Sequence, residues 1–246
     1  MTQLLISVKN VQETWAALEA GVDMIDLKDP CKGALGALDL ALTKDIVNTI
    51  NGHHGNTAVI SATVGEHHAN NKALLEAIND RALLGVDIIK IAVDDLFEAP
   101  DFFEEIKSIT KQGVKLVAVM FADQKLQMEL LPQLKSAGFY GAMLDTQKKT
   151  NTLPNLLAYN NLHYFVQMCE QLDLKSGLAG SLKPQDIEKM AGLHATYIGF
   201  RGGACHSSER KGTLMLSKVI ELKNMLHKHN NARAQAQKIN SLALHS

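Results

Sequence analysis

The stretch Met24-Ile25-Asp26-Leu27-Lys28 is a short apolar run that ends in a carboxylate and an amine. It follows Ala20-Gly21, and such a pair typically closes a helix before the chain turns into a strand. Side chains alternate across a strand, so Asp26 and Lys28 are expected on the same face. A second run of this kind, Asp87-Ile88-Ile89-Lys90, also follows a glycine. The chain therefore repeats a helix–glycine–strand unit.

Eight apolar runs of this kind alternate with amphipathic, helix-like segments. They are rich in Val, Ile and Leu and lack strict polar alternation, which is typical of parallel strands covered on both faces. The predicted strands are residues 4–8, 24–28, 58–64, 88–93, 115–121, 141–146, 176–181 and 196–202. Left-handed helix stops are expected at Gly21, Gly85, Gly138 and Gly192. Eight strand–helix units predict an α/β fold, a single-domain (β/α)8 TIM barrel. A doubly wound sheet is the alternative, but no glycine fingerprint follows the first run.

The composition excludes several classes of protein. The 246 residues carry a formal net charge of −1, so there is no electrostatic case for binding nucleic acid or a membrane surface. Three cysteines without C-x-x-C spacing argue against a disulfide framework or a zinc site and favour the cytoplasm. Neither a signal peptide nor a membrane span is expected, because no apolar window approaches the required ~20 residues. We expect a catalytic barrel domain over residues 1–226 and a polar C-terminal helix or tail over 227–246.

The carboxyl ends of the strands, where barrels place their active sites, are polar in this chain. Read in order, these ends give Ser7, Asp26, Lys28, Thr63, Lys90, Asp123, Asp145, Gly180, Ser181, Arg201, Gly202 and Gly203. One charged residue at a strand end is more often part of a loop-side ion pair, but several at one rim indicate a site. A desolvated lysine loses proton affinity, which favours Schiff-base or acid–base chemistry on a carbonyl substrate at Lys28 and Lys90.

Two glycine-containing loops favour a phosphate site. Barrels often hold phosphate on backbone N–H groups of the loops after strands seven and eight. Those loops contain Gly180-Ser181 and Arg201-Gly202-Gly203, and the guanidinium of Arg201 is expected to add a bidentate contact. The alternative is that these glycines only serve tight turns. A third glycine loop, residues 32–37, either wraps a substrate or a second phosphate over the site, or is a mobile connection.

No metal and no cofactor is expected. The pairs His53-His54 and His67-His68 are adjacent residues whose side chains diverge, so both pairs are interpreted as solvated loop residues. Cys205 follows the eighth run and is interpreted as a packing residue, because no histidine is clearly placed to activate its thiol.

Taken together, these stretches resemble the (5-formylfuran-3-yl)methyl phosphate synthase family, also called 4-HFC-P synthase. The resemblance extends in order from residue 4 to about residue 212. It is carried by Asp26-Leu27-Lys28-Asp29-Pro30, Gly33-Ala34-Leu35-Gly36-Ala37, Ser61-Ala62-Thr63-Val64-Gly65, Asp87-Ile88-Ile89-Lys90, Phe121-Ala122-Asp123, Ala142-Met143-Leu144-Asp145-Thr146, Leu178-Ala179-Gly180-Ser181 and Gly199-Phe200-Arg201-Gly202-Gly203-Ala204-Cys205.

The resemblance implies a TIM-barrel lyase that condenses two glyceraldehyde 3-phosphate molecules into a phosphorylated furan aldehyde, with loss of phosphate and water. That furan is the precursor of the methanofuran ring. In the family one lysine forms a Schiff base and a second accepts a proton, and the matching positions are Lys28 and Lys90. Asp26 and Asp145 match further site carboxylates.

A third site lysine of the family falls on Lys149 or its neighbour Lys148. The implied partner is a small triose phosphate, and a homo-oligomer is expected. Two alternatives stay open. One is another Schiff-base aldolase of sugar phosphates, and the other is a non-catalytic sugar-phosphate-binding barrel whose lysines only neutralise phosphate.

Overall fold

A closed barrel of eight parallel strands forms the centre of the protein in a computed structural model, which describes residues 1–93, 97 and 101–243. Each strand pairs with the next one along the chain, and the last pairs with the first. The strands are β1 Gln3–Val8, β2 Met24–Leu27, β3 Val59–Thr63, β4 Ile88–Ala92, β5 Lys115–Phe121, β6 Gly141–Asp145, β7 Lys175–Leu178 and β8 Tyr197–Phe200. The predicted single-domain TIM barrel is confirmed, and each predicted strand is present with ends shifted by a few residues.

Helices follow the strands on the outside of the barrel. They are α1 Val11–Glu19, α2 Leu40–Asn51, α3 Asn71–Leu83, α4 Phe102–Thr110, α5 Leu131–Ser136, α6 Leu153–Leu156, α7 Tyr159–Gln171, α8 Ile187–Ala191 and α9 Leu216–Ala243. Gly21, Gly85 and Gly138 adopt positive φ angles after their helices, as predicted. The fourth predicted stop is wrong, because Gly192 keeps a helical φ of −62° and the left-handed residue is His194.

Two separate apolar clusters result from the alternation of side chains across the strands. The larger one lies between the barrel and the helices. The smaller one fills the barrel interior with side chains that include Leu5, Met24, Ile88, Val117 and Tyr197. Ala34 and Leu35 belong to this inner cluster although they come from the loop after β2. That loop therefore inserts into the barrel mouth from above and is not a simple connection.

The parallel register brings three polar side chains side by side inside the barrel. Ser7 on β1 pairs with Asp26 on β2, and Asp26 pairs with Ser61 on β3. Lys90 on β4 is in register with Thr63, two residues beyond Ser61. The polar residues thus form one level at the carboxyl ends of β1 to β4, above an apolar layer.

Glu13 on α1 anchors the far end of the chain to its beginning. Its carboxylate is 2% exposed and forms an ion pair with the guanidinium of Arg201, which follows β8. The same carboxylate accepts hydrogen bonds from the backbone N–H groups of Lys9 at 2.9 Å and Leu214 at 3.2 Å. One buried side chain therefore holds the loop after β8 against α1.

The last helix runs through the expected boundary between barrel and tail. It begins at Leu216 and continues to Ala243, so residues 227–243 extend the helix, and residues 244–246 lie outside the described part. The Asn230 side chain donates to the backbone carbonyl of Thr2 at 2.9 Å, which attaches the helix to the start of β1. Among the described residues, no helix combines the length and apolar character required to cross a membrane.

Replacing Glu13 by glutamine should destabilise the protein by about 3 kcal/mol, because it leaves a buried guanidinium without its counter-charge. Urea unfolding of wild type and Glu13→Gln measures this difference. Glu19→Gln removes an exposed carboxylate from the same helix and should change stability by less than about 0.5 kcal/mol. Equal stability of the two variants would show that the Glu13–Arg201 pair does not hold the loop.

Candidate active site

Asp26 is the centre of a buried polar cluster at the barrel mouth. One carboxylate oxygen lies 2.5 Å from the Nζ of Lys90 and accepts from Ser61 Oγ at 2.8 Å, and the other accepts from Ser7 Oγ at 3.0 Å. Asp26 and Lys90 are almost fully buried. Both oxygens of Asp26 are thus satisfied, and its carboxylate holds Lys90 in a fixed position.

Asp145 and Lys149 form a second ion pair across the mouth. Asp145 also accepts from the backbone N–H of Thr146 at 2.7 Å. Lys149 has a positive φ of 58°, which turns its side chain back towards Asp145 four residues earlier. Lys148 is exposed and does not line the cavity. The structure thus places Lys149, and not Lys148, in the site.

Lys28 lies between the two ion pairs, one residue beyond the end of β2. It is 7% exposed and lines the cavity, and its Nζ makes no hydrogen bond or ion pair with any described residue. Its charge acts on both carboxylates and on both other lysines. It is therefore a buried amine that no described residue engages.

Burial and mutual charge shift the proton affinities of this cluster. Burial raises the pKa of Asp26, but attraction by Lys90 and Lys28 outweighs it, and the pKa falls below its ordinary value. Burial also raises the pKa of Asp145, but attraction by Lys149 and Lys28 outweighs it, and this pKa too falls below its ordinary value. Burial lowers the pKa of Lys90. Attraction by Asp26 opposes this effect and repulsion by Lys28 reinforces it, so the pKa stays below its ordinary value. Burial lowers the pKa of Lys149 to about 8. The carboxylates stay ionised while two lysines release their protons more easily than usual.

The cavity above this cluster has a volume of about 320 Å³. Its walls come from β1, β2, β6, β8 and the loops after β6, β7 and β8. Among the described residues from β3 to β5, only Lys90 lines it, and Ala34 and Leu35 belong to the apolar cluster that fills the interior. The inserted loop therefore occupies part of the barrel mouth with apolar side chains.

A cradle of backbone N–H groups forms one wall of the cavity. No described residue accepts a hydrogen bond from the N–H groups of Gly180, Ser181, Gly202 or Gly203, and all four residues line the cavity. Gly180 and Ser181 have positive φ angles of 109° and 53°, a backbone form that favours anion-binding concavities. A Cβ on Gly203 would lie 2.9 Å from the carbonyl oxygen of Leu182, so the two loops touch. This arrangement can bind a phosphate.

The predicted phosphate contact of Arg201 is wrong. A guanidinium has five N–H donors, and those of Arg201 are directed at both carboxylate oxygens of Glu13 and the carbonyl oxygens of Ser7, Arg210 and Gly212. No donor remains for a ligand. The direction of this side chain depends on Glu13, which lies 188 residues away in sequence.

Two further predicted residues support loops and do not line the cavity. Thr63 donates from its hydroxyl to the carbonyl of Gly36 at 3.0 Å and so holds the inserted loop. Asp123 accepts from the backbone N–H groups of Gln147 and Lys148, both at 2.7 Å, and so shapes the turn that carries Lys149. Both residues act on the site through the loops that they fix.

Sequence reasoning missed two residues, Ser61 and Arg210. Ser61 was detectable, because it precedes Thr63 by two positions and therefore points to the same face of β3. Arg210 lines the cavity from the loop after β8, and no pattern in its neighbourhood indicated its direction. Cys205 is fully buried and burial raises the pKa of its thiol, as suits a packing residue. Within the described part of the chain, no group of three His, Cys, Asp or Glu side chains could hold a metal ion.

Comparison of the fold with solved structures places it among TIM-barrel enzymes. The 3-hexulose-6-phosphate synthase of Salmonella typhimurium superposes with a TM-score of 0.64 at 14% identity, covering 93% of this chain and 100% of its own. Phosphoribosyl anthranilate isomerase of Thermus thermophilus gives a TM-score of 0.63 at 12% identity, covering 92% and 99%. At such low identity these similarities establish the fold alone.

Sequence comparison is more specific. The profile of the 4-HFC-P synthase family matches residues 4–223. A candidate (5-formylfuran-3-yl)methyl phosphate synthase of Methylorubrum extorquens is 39% identical over 220 residues, covering 89% of both chains. The (5-formylfuran-3-yl)methyl phosphate synthase of Methanococcus aeolicus is 31% identical over 233 residues, covering 89% of this chain and 97% of its own. The chain therefore belongs to the 4-HFC-P synthase family.

Proposed function

We propose that the protein condenses two molecules of glyceraldehyde 3-phosphate into (5-formylfuran-3-yl)methyl phosphate through a Schiff base on Lys28. The observation that carries this proposal is the state of Lys28, a buried amine that is not engaged by any described residue and lies between two lysine–aspartate pairs. A Schiff base needs an amine that is close to the carbonyl and is not held by a carboxylate. Of the three lysines in the cluster, Lys28 alone meets both conditions.

The first half of the reaction uses Lys28 and Lys90. The Lys28 amine attacks the carbonyl of a triose phosphate and loses water to give an iminium, which acidifies the neighbouring carbon. Lys90 removes the proton from that carbon and yields the enamine. Its lowered pKa makes a neutral amine accessible, and Asp26 keeps its Nζ in place. Ser7 and Ser61 stabilise the carboxylate while this proton moves.

The second half joins the two trioses. The enamine carbon attacks the aldehyde of the second triose, and loss of one phosphate and of water then closes and aromatises the ring. Water finally hydrolyses the imine, which frees the formyl group of the product and the amine of Lys28. Only phosphate and water leave, so the reaction needs no oxidant or reductant. Lys149, paired with Asp145, protonates the leaving groups. The backbone cradle of Gly180, Ser181, Gly202 and Gly203 holds one phosphate. We place the product on the route to a methanofuran-type cofactor and the reaction in the cytoplasm.

Lys28→Arg should abolish both adduct and furan, because an arginine keeps the positive charge but cannot supply a neutral amine near pH 7. Intact mass after borohydride reduction with glyceraldehyde 3-phosphate detects the adduct, and peptide mapping locates it. Lys148→Arg makes the same change at an exposed residue near the site, and this variant should form the borohydride adduct and the furan as wild type does. An adduct mapped to any other lysine would refute the assignment. An open-chain sugar product without a furan chromophore would instead indicate an aldolase.

Lys90→Met should still form the borohydride adduct on Lys28 but lose furan formation by about two to four orders of magnitude, the usual contribution of a general base. Deuterium uptake from solvent into the substrate carbon measures the missing step directly. Unchanged deuterium uptake in this variant would assign the proton transfer to another group.

Furan formation should decrease as the pH rises through about 8, because Lys149 loses its proton there and can no longer act as an acid. Lys149→Arg keeps the charge at every accessible pH, but its pKa is too high for proton donation, so activity should fall about a hundredfold or more. A pH–rate profile of both proteins tests this. Full activity of Lys149→Arg above pH 8 would show that Lys149 acts through its charge alone.

A further inference from the structure

Two arginines reach the cavity, and they differ in their free hydrogen-bonding capacity. All five donors of Arg201 are used within the protein. Arg210 uses one donor, on the carbonyl oxygen of Gly33, and no described residue accepts from its other N–H groups. Arg210 is only partly exposed and lines the cavity. A partly buried guanidinium with unused donors facing a cavity is a binding group for an anion.

The backbone places Arg210 beside the phosphate cradle. A Cβ on Gly202 would lie 3.8 Å from the Cβ of Arg210 and 3.0 Å from the carbonyl oxygen of Ser208. Ser207 and Ser208 adopt positive φ angles of 51° and 59°, which turn the loop back over the cavity. From there the guanidinium reaches the loop after β2 at Gly33. Arg210 therefore spans the mouth between the cradle and the inserted loop.

The bond to Gly33 fixes the direction of the guanidinium. Gly33 has a φ of 107°, and a Cβ there would lie 2.3 Å from a carboxylate oxygen of Glu66. That same oxygen accepts from the backbone N–H of Leu35 at 3.0 Å, so Glu66 holds the loop that presents the Gly33 carbonyl. The remaining donors of Arg210 are thereby oriented before any ligand arrives.

The charges of the cavity leave a place for a second anion. The reaction proposed above brings two phosphate esters into one cavity, and the cradle accounts for one of them. Lys90 and Lys149 are paired with carboxylates, and Lys28 forms the covalent bond. Arg201 uses all its donors within the protein, so the other cations that line the cavity are Lys183, which is exposed, and Arg210, which is only partly exposed. A guanidinium group that is already oriented loses less conformational entropy on binding an anion than a flexible, exposed lysine does.

We propose that Arg210 binds the phosphate of the second triose, adjacent to the cradle that binds the first. This assignment rests on the proposed condensation of two triose phosphates. It makes Arg210 the residue that distinguishes a phosphorylated from a non-phosphorylated second substrate. Arg210 touches the substrate at the phosphate and not at the reacting carbons.

The test measures binding of glycerol 3-phosphate by calorimetry, because this phosphate ester has no carbonyl and cannot react with Lys28. Wild type should bind two molecules per chain. Arg210→Gln should bind the second at least about tenfold more weakly and the first as before, since a charged hydrogen-bond partner is lost. Arg210→Lys keeps the charge but lacks the planar guanidinium, so its affinity for the second molecule should lie between those of wild type and Arg210→Gln. Borohydride trapping of unphosphorylated glyceraldehyde on Lys28 should be unchanged in Arg210→Gln, which shows that the site is still folded.

Two control variants decide between Arg210 and a general charge effect. Lys211→Gln removes the same charge from the exposed neighbouring residue and should bind as wild type. The proposal would be overturned if Arg210→Gln bound the second molecule as tightly as wild type does. It would also be overturned if Lys211→Gln or Lys183→Gln showed the same loss of affinity, or if wild type bound only one molecule. Normal two-site binding without any furan product would instead refute the condensation and leave Arg210 as a phosphate-binding residue.

Discussion

The buried ion pair between Asp26 and Lys90 is the interaction on which the site depends. Removing two charges from water costs several kcal/mol for each ion, and attraction recovers this only when the other hydrogen-bonding positions are also filled. Ser7 and Ser61 fill them on Asp26. The barrel register makes this possible, because it aligns β1, β2 and β3 so that both hydroxyls face one carboxylate. The ion pair and its supporting hydrogen bonds therefore join four strands, β1 to β4.

The two ion pairs around Lys28 leave its amine without a carboxylate partner. Each neighbouring lysine has a carboxylate of its own, so neither carboxylate is free to hold Lys28. Leu35 and Ala34 add apolar surface to the barrel interior beside the cluster. Burial strengthens the charge interactions inside and lowers the pKa of Lys90 and Lys149. The inserted loop thus contributes to the buried surroundings in which these charges interact.

Much of this arrangement could be predicted from the sequence. The directions of the two arginine side chains could not, and the reason is physical. Strand parity placed Asp26 and Lys28 on the same face, because a period of two is enforced by the backbone. For Arg201, one residue beyond β8, and for Arg210, further along the loop, parity does not determine which groups the long side chain contacts. Their directions are set by Glu13 and by the Gly33 carbonyl, partners that are distant in sequence.

The link between Glu13 and Arg201 also bears on the order in which the protein assembles. Its partners are 188 residues apart in the chain, so the contact can form only after the last strand has closed the ring. Contacts of such long range form late in folding, since the entropy of closing the intervening chain must be overcome first. The lysines on β2 and β4 belong to earlier units. Under the proposed function, the strands that carry the lysines would therefore form before the loop after β8 is fixed, so that the phosphate cradle is completed only when the barrel closes.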